Sequence, residues 1–134
     1  MSTPTTIRAW AAQEAAKPVV PFSYDPGPLG VEEVEIRVAH CGLCHSDLSV
    51  IDSEWGPMPY PIVGGHEVIG TVVALGTHTR GLKLGQRVGL GWLSGSCMSC
   101  NVCLGGQPQL CRAGQPTILG HHGGFAERVR AHWL

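Results

Sequence analysis

Apolar and charged residues alternate with a period of two over residues 33–38, as expected for a strand with one buried face. Apolar runs bounded by turn residues predict three more strands: residues 68–75, 86–92 and 126–131. The first of these runs is the most continuously apolar and therefore the most buried, whereas glycines weaken the second.

Helical patterning is confined to residues 46–51, with Ser46 or Asp47 as the predicted N-cap. Residues 95–115 have no hydrophobic period, so something other than an apolar core must hold them. The sequence contains no βαβ pattern and no G-x-G-x-x-G motif; its nearest string, residues 89–94, ends in serine. The phosphate-binding turn of a dinucleotide fold is therefore absent from this sequence.

The composition narrows the class of protein. A length of 134 residues predicts one domain, and a hydrophobic content of 43% excludes a disordered chain. Nine Lys and Arg against ten Asp and Glu, with no basic cluster, disfavour nucleic acid and anionic membranes as partners. No apolar run reaches the roughly 18 residues of a membrane helix, and residues 1–18 lack the apolar stretch of a signal peptide. We therefore expect a cytoplasmic protein.

Four of the six cysteines lie close together in the otherwise patternless segment. A reducing compartment argues against a disulfide framework, and the spacing C-x2-C-x2-C-x7-C can place four thiolates around one ion. The four are Cys97, Cys100, Cys103 and Cys111. We interpret them as a structural zinc site, with an iron–sulfur cluster or unligated cysteines as the alternatives.

Cys44 and His66 form a second candidate site. Cys44 closes a C-x-x-C pair with Cys41, and His66 follows in the sequence G-G-H-E. Each is ambiguous alone, because a C-x-x-C pair can be redox-active and a single histidine is often structural. A thiolate and an imidazole supply only two ligands, so a catalytic zinc would need a third from elsewhere.

Four longer motifs occur in order: CGLCHSDL at 41–48, YPIVGGHEVIGTVVALG at 60–76, SGSCMSCNVCLGGQPQLC at 94–111 and HGGFAERVRA at 122–131. From about residue 31 onward the chain resembles the N-terminal GroES-like catalytic domain of zinc-dependent medium-chain alcohol dehydrogenases. The likeness is to the bacterial, yeast and cinnamyl-alcohol-dehydrogenase-like members. It implies a mainly β fold: a partly open barrel with short helices and a four-cysteine zinc lobe. Residues 1–134 then form this one domain, and the Rossmann cofactor domain is absent from the chain.

The resemblance also implies roles for the second candidate site. Cys44 and His66 match the catalytic zinc ligands, and Glu67 matches the acidic residue close to the metal. Asp47 matches the carboxylate that hydrogen-bonds the zinc-bound imidazole. Ser46 matches the hydroxyl that accepts the alcohol proton.

Three further positions match the surroundings of the reaction. His45 matches a residue that faces the cofactor phosphates. Trp55 and Trp92 fall near positions that line the substrate pocket, although simple packing is an equal explanation for them. Ser49 replaces the histidine that ends the proton relay in many relatives, so the resemblance leaves the route beyond Ser46 open.

The implied activity is oxidation of a primary or secondary alcohol to an aldehyde or ketone, with hydride transfer to NAD or NADP. The implied partners are the small alcohol or aldehyde, and a second copy in a homodimer or homotetramer of the full-length form. The family's third zinc ligand and its cofactor domain come later, so we expect the isolated chain to bind zinc without turnover. Two other hypotheses are a stand-alone zinc-stabilised β module that binds a partner, and a redox module using Cys41 and Cys44.

Overall fold

The computed structural model describes residues 6–134. Residues 1–5, which belong to the predicted domain 1–134 and to the segment 1–18 considered above, lie outside the described residues. Residues 6–134 contain eight strands: β1 Ile7–Ala11, β2 Val20–Tyr24, β3 Glu33–Cys41, β4 Val68–Leu75, β5 Arg87–Leu90, β6 Leu93–Gly95, β7 Gln115–Pro116 and β8 Arg128–His132. Two short helices, α1 His45–Ile51 and α2 Asn101–Leu104, and a 3₁₀ turn, Pro108–Leu110, complete the elements.

The central sheet is antiparallel, with strand order β5-β4-β3-β8. Its apolar positions form the main core, which consists of Val34, Ile36, Val68, Leu90, Val129 and Ala131. The apolar positions Val34 and Ile36 of the predicted strand 33–38 are buried in β3, but Glu35, expected on the exposed face, is buried as well. The predicted strand 68–75 is β4. The predicted class, mainly β with short helices and a cysteine-rich lobe, is confirmed.

The N-terminal hairpin of β1 and β2 was not predicted from the sequence. Ile7, Ala9 and Ala11 are buried in alternation along β1, but alanine is a weak strand former, so this period of two is easily overlooked. In β2, Pro21 removes a backbone donor. The hairpin joins the sheet through the segment before β8, since the Trp10 amide donates to the Phe125 carbonyl.

The predicted strand 86–92 corresponds to β5, but Gln86, Gly91 and Trp92 are not part of that strand. β5 ends at Leu90, and a new strand, β6, begins at Leu93 and pairs with β7. Thr117 explains the break, because its hydroxyl and its amide donate to the carbonyls of Gly91 and Trp92 at 2.7 and 2.8 Å. The two carbonyls therefore bind Thr117 instead of β4, and the chain leaves the central sheet at Gly91.

Helix α1 begins one residue before the predicted helix, and its predicted cap is also wrong. Cys44 is the N-cap rather than Ser46 or Asp47. Asp47 is the third helical residue, and its Oδ2 accepts from the Cys44 amide at 3.0 Å. The Asp47 side chain therefore caps the helix from its third position, as the acidic residue of a capping box does. The helix buries Val50 and Ile51 in a second apolar cluster.

Ion pairs of the buried Glu35 with two arginines tie β3 to β8. Glu35 is 4% exposed and accepts from Arg128 at 2.7 Å and from Arg130 at 3.1 Å. Arg130 also donates to the carbonyls of Pro26, Gly27 and Pro28. The turn before β3 is therefore held by one guanidinium. Among the described residues, the helices are too short to cross a membrane.

Candidate metal centres

The four predicted cysteines of residues 95–115, here called the four-cysteine lobe, converge on one point. Their Sγ atoms all lie within 4.8 Å of one another. The separations are 3.5 Å for Cys97–Cys111, 3.9 Å for Cys97–Cys103 and 4.0 Å for Cys100–Cys111. Tetrahedral zinc with Zn–S bonds of about 2.3 Å requires S–S separations of about 3.8 Å. The lobe therefore fits a zinc ion bound by four thiolates.

Short local structure produces this convergence. Cys100 is the N-cap of α2, and one turn of helix brings Cys103 inward, where it is buried. The 3₁₀ turn Pro108–Leu110 then returns the chain, so that Cys111 approaches Cys97. The lobe contributes just one residue, Cys103, to the buried hydrophobic positions of the described chain, so an ion would supply the folding free energy that a core supplies elsewhere.

The thiols of the lobe differ in acidity when no metal is bound. Backbone amides of Ser99 and Cys100 donate to the Cys97 sulfur and lower its pKa to about 6. Burial raises the pKa of Cys103 to about 11. Cys97 is therefore a thiolate at neutral pH, whereas metal binding must displace a proton from Cys103.

The second candidate site brings together Cys44, His66 and Glu67, here called the three-residue cluster. One ligand atom from each lies within 4.8 Å of the others. Cys44 stands at the start of α1, and the other two residues directly precede β4. The Gly42 amide donates to the Glu67 carbonyl at 2.9 Å and joins the two segments. A Cβ on Gly42 would overlap the Glu67 carboxylate, so a larger residue there would displace that side chain.

Asp47 holds this cluster in position from the interior of the domain. It is fully buried, and its Oδ1 accepts from the Gly65 amide at 2.7 Å and lies 3.0 Å from His66 Nδ1. Since a carboxylate can only accept, Nδ1 carries the proton and Nε2 is left as the free ligand atom. Gly65 has a φ of +94°, and a Cβ there would lie 2.7 Å from the Phe125 nitrogen. Both the backbone angle and the lack of space therefore require glycine at this position.

Two indole rings stand beside the cluster. The Trp92 ring is edge-on to the His66 imidazole, with ring centroids 5.0 Å apart and planes at 88°. Trp55 contacts Trp92 in turn, with centroids 6.0 Å apart and planes at 65°. Both rings are partly exposed, Trp55 at 53% and Trp92 at 37%. The structure thus brings both predicted pocket residues to one side of the imidazole.

The other predicted site residues lie along α1. His45 is its exposed first residue, and Ser46 follows half-buried. Ser49 is buried, and its hydroxyl donates to Glu54 Oε2 at 2.7 Å. Sequence reasoning did not identify Glu54, because nothing in its local pattern distinguishes it from an ordinary surface carboxylate.

Cys41 is not a member of the three-residue cluster. Its thiol donates to the Gly42 carbonyl, and burial raises its pKa. It packs against the main core. This is the placement of a small, half-buried residue rather than of a ligand.

Comparison with known proteins identifies the family. The alcohol dehydrogenase GroES-like domain matches residues 30–133. The aldehyde reductase AdhA of Synechocystis is 56% identical over 125 residues, which are 93% of this chain and 37% of that protein. A cinnamyl alcohol dehydrogenase of Sorghum bicolor superposes with a TM-score of 0.88 at 34% identity, covering 96% of this chain and 39% of that one. The CAD of Helicobacter pylori, in complex with NADP(H), gives a TM-score of 0.88 at 26% identity, covering 96% and 40%.

This chain therefore belongs to the alcohol dehydrogenase GroES-like domain family, as its motifs indicated. The chain spans well under half the length of these relatives.

Proposed function

We propose that this chain is the zinc-binding catalytic domain of an alcohol dehydrogenase. In this proposal residues 1–134 form one domain, and the cofactor-binding domain lies outside this chain. The observation that carries the proposal is the convergence of Cys44, His66 and Glu67, with Asp47 fixing the imidazole from the buried side. A thiolate, an imidazole and a nearby carboxylate are ligand types that zinc accepts.

Each residue of the three-residue cluster has a distinct role. The Cys44 thiolate and the His66 Nε2 would hold the ion, and Glu67 would act as the exchangeable neighbour on the exposed side. Asp47 keeps the proton on His66 Nδ1, which sets the tautomer and the orientation of the ring. When bound, zinc would supply a Lewis acid for the alcohol oxygen, and NAD or NADP would supply the hydride acceptor.

Residues around the cluster would receive the substrate and cofactor. Ser46, half-buried on the first turn of α1, would take the proton that the alcohol loses. His45, exposed at the helix start, would face the cofactor phosphates. Trp55 and Trp92 would provide the apolar wall for the substituents of the alcohol or aldehyde.

The four-cysteine lobe would bind a structural zinc. Its closed set of four thiolates leaves no position for substrate, which supports a structural rather than a catalytic role. Since the sequence has no G-x-G-x-x-G motif, NAD or NADP would bind to the domain outside this chain. Homodimers or homotetramers are proposed for the longer protein.

A chimera provides the test. This chain would replace the matching third of the Synechocystis aldehyde reductase, and NADPH- or NADH-dependent reduction of aldehydes would be measured in the zinc-loaded protein. We expect turnover, and its loss in Cys44→Ala and His66→Ala chimeras, with folding retained. A folded, zinc-loaded chimera without turnover would contradict the proposal and favour a stand-alone zinc-stabilised module.

A further inference from the structure

The position of Trp55 is not explained by the apolar core. Its side chain is 53% exposed, and Trp92 is the aromatic ring that it contacts. Because core packing does not hold this indole, the conformation of its backbone determines where the ring lies. That backbone is the turn over residues 52–56, which follows the end of α1 at Ile51.

This turn has an unfavourable conformation that its hydrogen bonds must stabilise. Ser53 adopts a φ of +57°, which a residue with a Cβ rarely adopts. Directly after it, the Glu54 amide donates to the Ser49 carbonyl at 2.9 Å. The Ser49 hydroxyl donates to Glu54 Oε2 at 2.7 Å, so the two residues are bound through backbone and side chain.

Helix capping does not account for this contact. The C-terminal end of a helix carries partial negative charge, so a carboxylate beside it is disfavoured. The last turn of α1 contains no basic residue to compensate. What holds the Glu54 carboxylate there is the buried hydroxyl of Ser49, through a short hydrogen bond of the strong hydroxyl–carboxylate type.

We propose that the Ser49–Glu54 hydrogen bond is a positioning device for the aromatic wall. It fastens the 52–56 turn to α1, and the residue next to Glu54, Trp55, is thereby held against Trp92. The effect reaches the candidate metal site because the Trp92 ring is edge-on to the His66 imidazole. This inference rests on the proposed function insofar as the two indoles are taken as the wall of the alcohol site.

The experiment follows the indole pair spectroscopically in the zinc-loaded chain of 134 residues. Two indoles 6.0 Å apart with planes at 65° couple their electronic transitions, which gives a couplet in the far-ultraviolet circular dichroism. The Trp55→Phe variant lacks one of the two indoles, so the difference between its spectrum and that of the parent chain gives the couplet. We expect Glu54→Ala and Ser49→Ala to lose most of the couplet, and Glu54→Gln, which keeps an acceptor oxygen for Ser49, to retain it.

A second measurement identifies the ring that moves. In the chain labelled with 5-fluorotryptophan, ¹⁹F spectra resolve the four tryptophans, and the Trp55→Phe variant assigns one of them. Glu54→Ala should shift the signals of Trp55 and Trp92 but not those of Trp10 and Trp133. The double variant of Ser49 and Glu54 should resemble Glu54→Ala alone, because both changes remove the same bond.

The matched control is Glu14→Ala, which removes an exposed carboxylate elsewhere. It should leave the couplet and all four signals unchanged. An intact couplet in both Glu54→Ala and Ser49→Ala would overturn the inference, as would loss of the couplet in Glu54→Gln. Equal shifts of all four tryptophans would also overturn it, since they would report a global change. Because the readout is ring position rather than turnover, an inactive chimera would contradict the proposed function and not this inference.

Discussion

Asp47 Oδ1 lies 3.0 Å from His66 Nδ1, across 19 residues of sequence and in the interior of the domain. The same carboxylate binds the amides of Gly65 and Cys44, so both segments that carry the three-residue cluster are held by one side chain. One buried carboxylate thus fixes the relative position of Cys44 and His66.

The first prediction concerns this carboxylate. Asp47→Asn keeps the shape but replaces one acceptor oxygen with an NH₂ group, which must face a backbone amide or the imidazole N–H. We expect a loss of about 1–3 kcal/mol in the free energy of unfolding. Zinc affinity at the three-residue cluster should fall by about 10–100-fold. Competitive titration with a chelator, together with urea unfolding, measures both effects.

Asp25→Asn is the control for this change, because the exposed Asp25 accepts from the Gly27 amide through one oxygen that asparagine also has. It should alter neither quantity. Unchanged zinc affinity in Asp47→Asn would show that the imidazole is oriented without the carboxylate.

The second prediction separates the two metal centres. Cys103→Ser should release about one zinc per chain and unfold the lobe, because its ion replaces a hydrophobic core. Cys44→Ser should leave folding almost unchanged, since the main core and Asp47 remain. Elemental analysis and thermal unfolding of the two variants provide the measurement. Equal destabilisation by both substitutions would contradict this division.

The third prediction concerns pH. Burial, and then the charge of His121, lower the pKa of His122 below its ordinary 6.5. His122 packs on Tyr24 with ring centroids 4.3 Å apart. Between the lowered pKa and about 6.5 the unfolded chain binds a proton that the folded chain does not. The free energy of unfolding should therefore fall as pH decreases through this window.

Urea unfolding of the zinc-saturated chain on both sides of that window tests the sign. His122→Gln should reduce the loss of stability at the acidic side, whereas His78→Gln, a change at an exposed histidine, serves as the control. A parent and a His122→Gln variant with the same pH dependence would show that His122 does not contribute.

The fourth prediction concerns proton transfer in the chimera. Ser46→Ala should slow alcohol oxidation by about a hundredfold or more, the usual scale for a lost proton-transfer group. Ser23→Ala, at an exposed position on β2, should not change the rate. A full rate in Ser46→Ala would assign the proton to another route.

Prediction from the sequence succeeded where residue type alone restricts the chemistry. Cysteine spacing located the four-cysteine lobe, because few arrangements other than a metal site use four thiols so close together. The alternation in β3 located its apolar core positions Val34 and Ile36, but it did not predict that Glu35 on the opposite face is buried as well. The roles of the three-residue cluster, Trp55 and Trp92 remain predictions, although the structure brings these residues together.

The parts that sequence reasoning missed depend on contacts between distant segments. The break between β5 and β6 is caused by Thr117, whose bonds to Gly91 and Trp92 are not visible in the local pattern. Likewise, the N-cap prediction failed because α1 begins at His45, which makes Cys44 the N-cap and places Asp47 within the first turn. The Ser49–Glu54 bond depends on an uncommon backbone angle at Ser53, which no propensity favours.

The hydrogen bonds of Thr117 lie between the two candidate metal centres and connect their surroundings. β6 begins immediately after Trp92, and β7 ends immediately before Thr117. The two strands that flank the four-cysteine lobe are therefore directly continuous with Trp92, which packs on His66, and with Thr117, which binds the Trp92 carbonyl. A short piece of backbone therefore joins the lobe to the indole beside His66. If an ion at one centre changes the affinity of the other, reciprocity requires the same factor in the opposite direction.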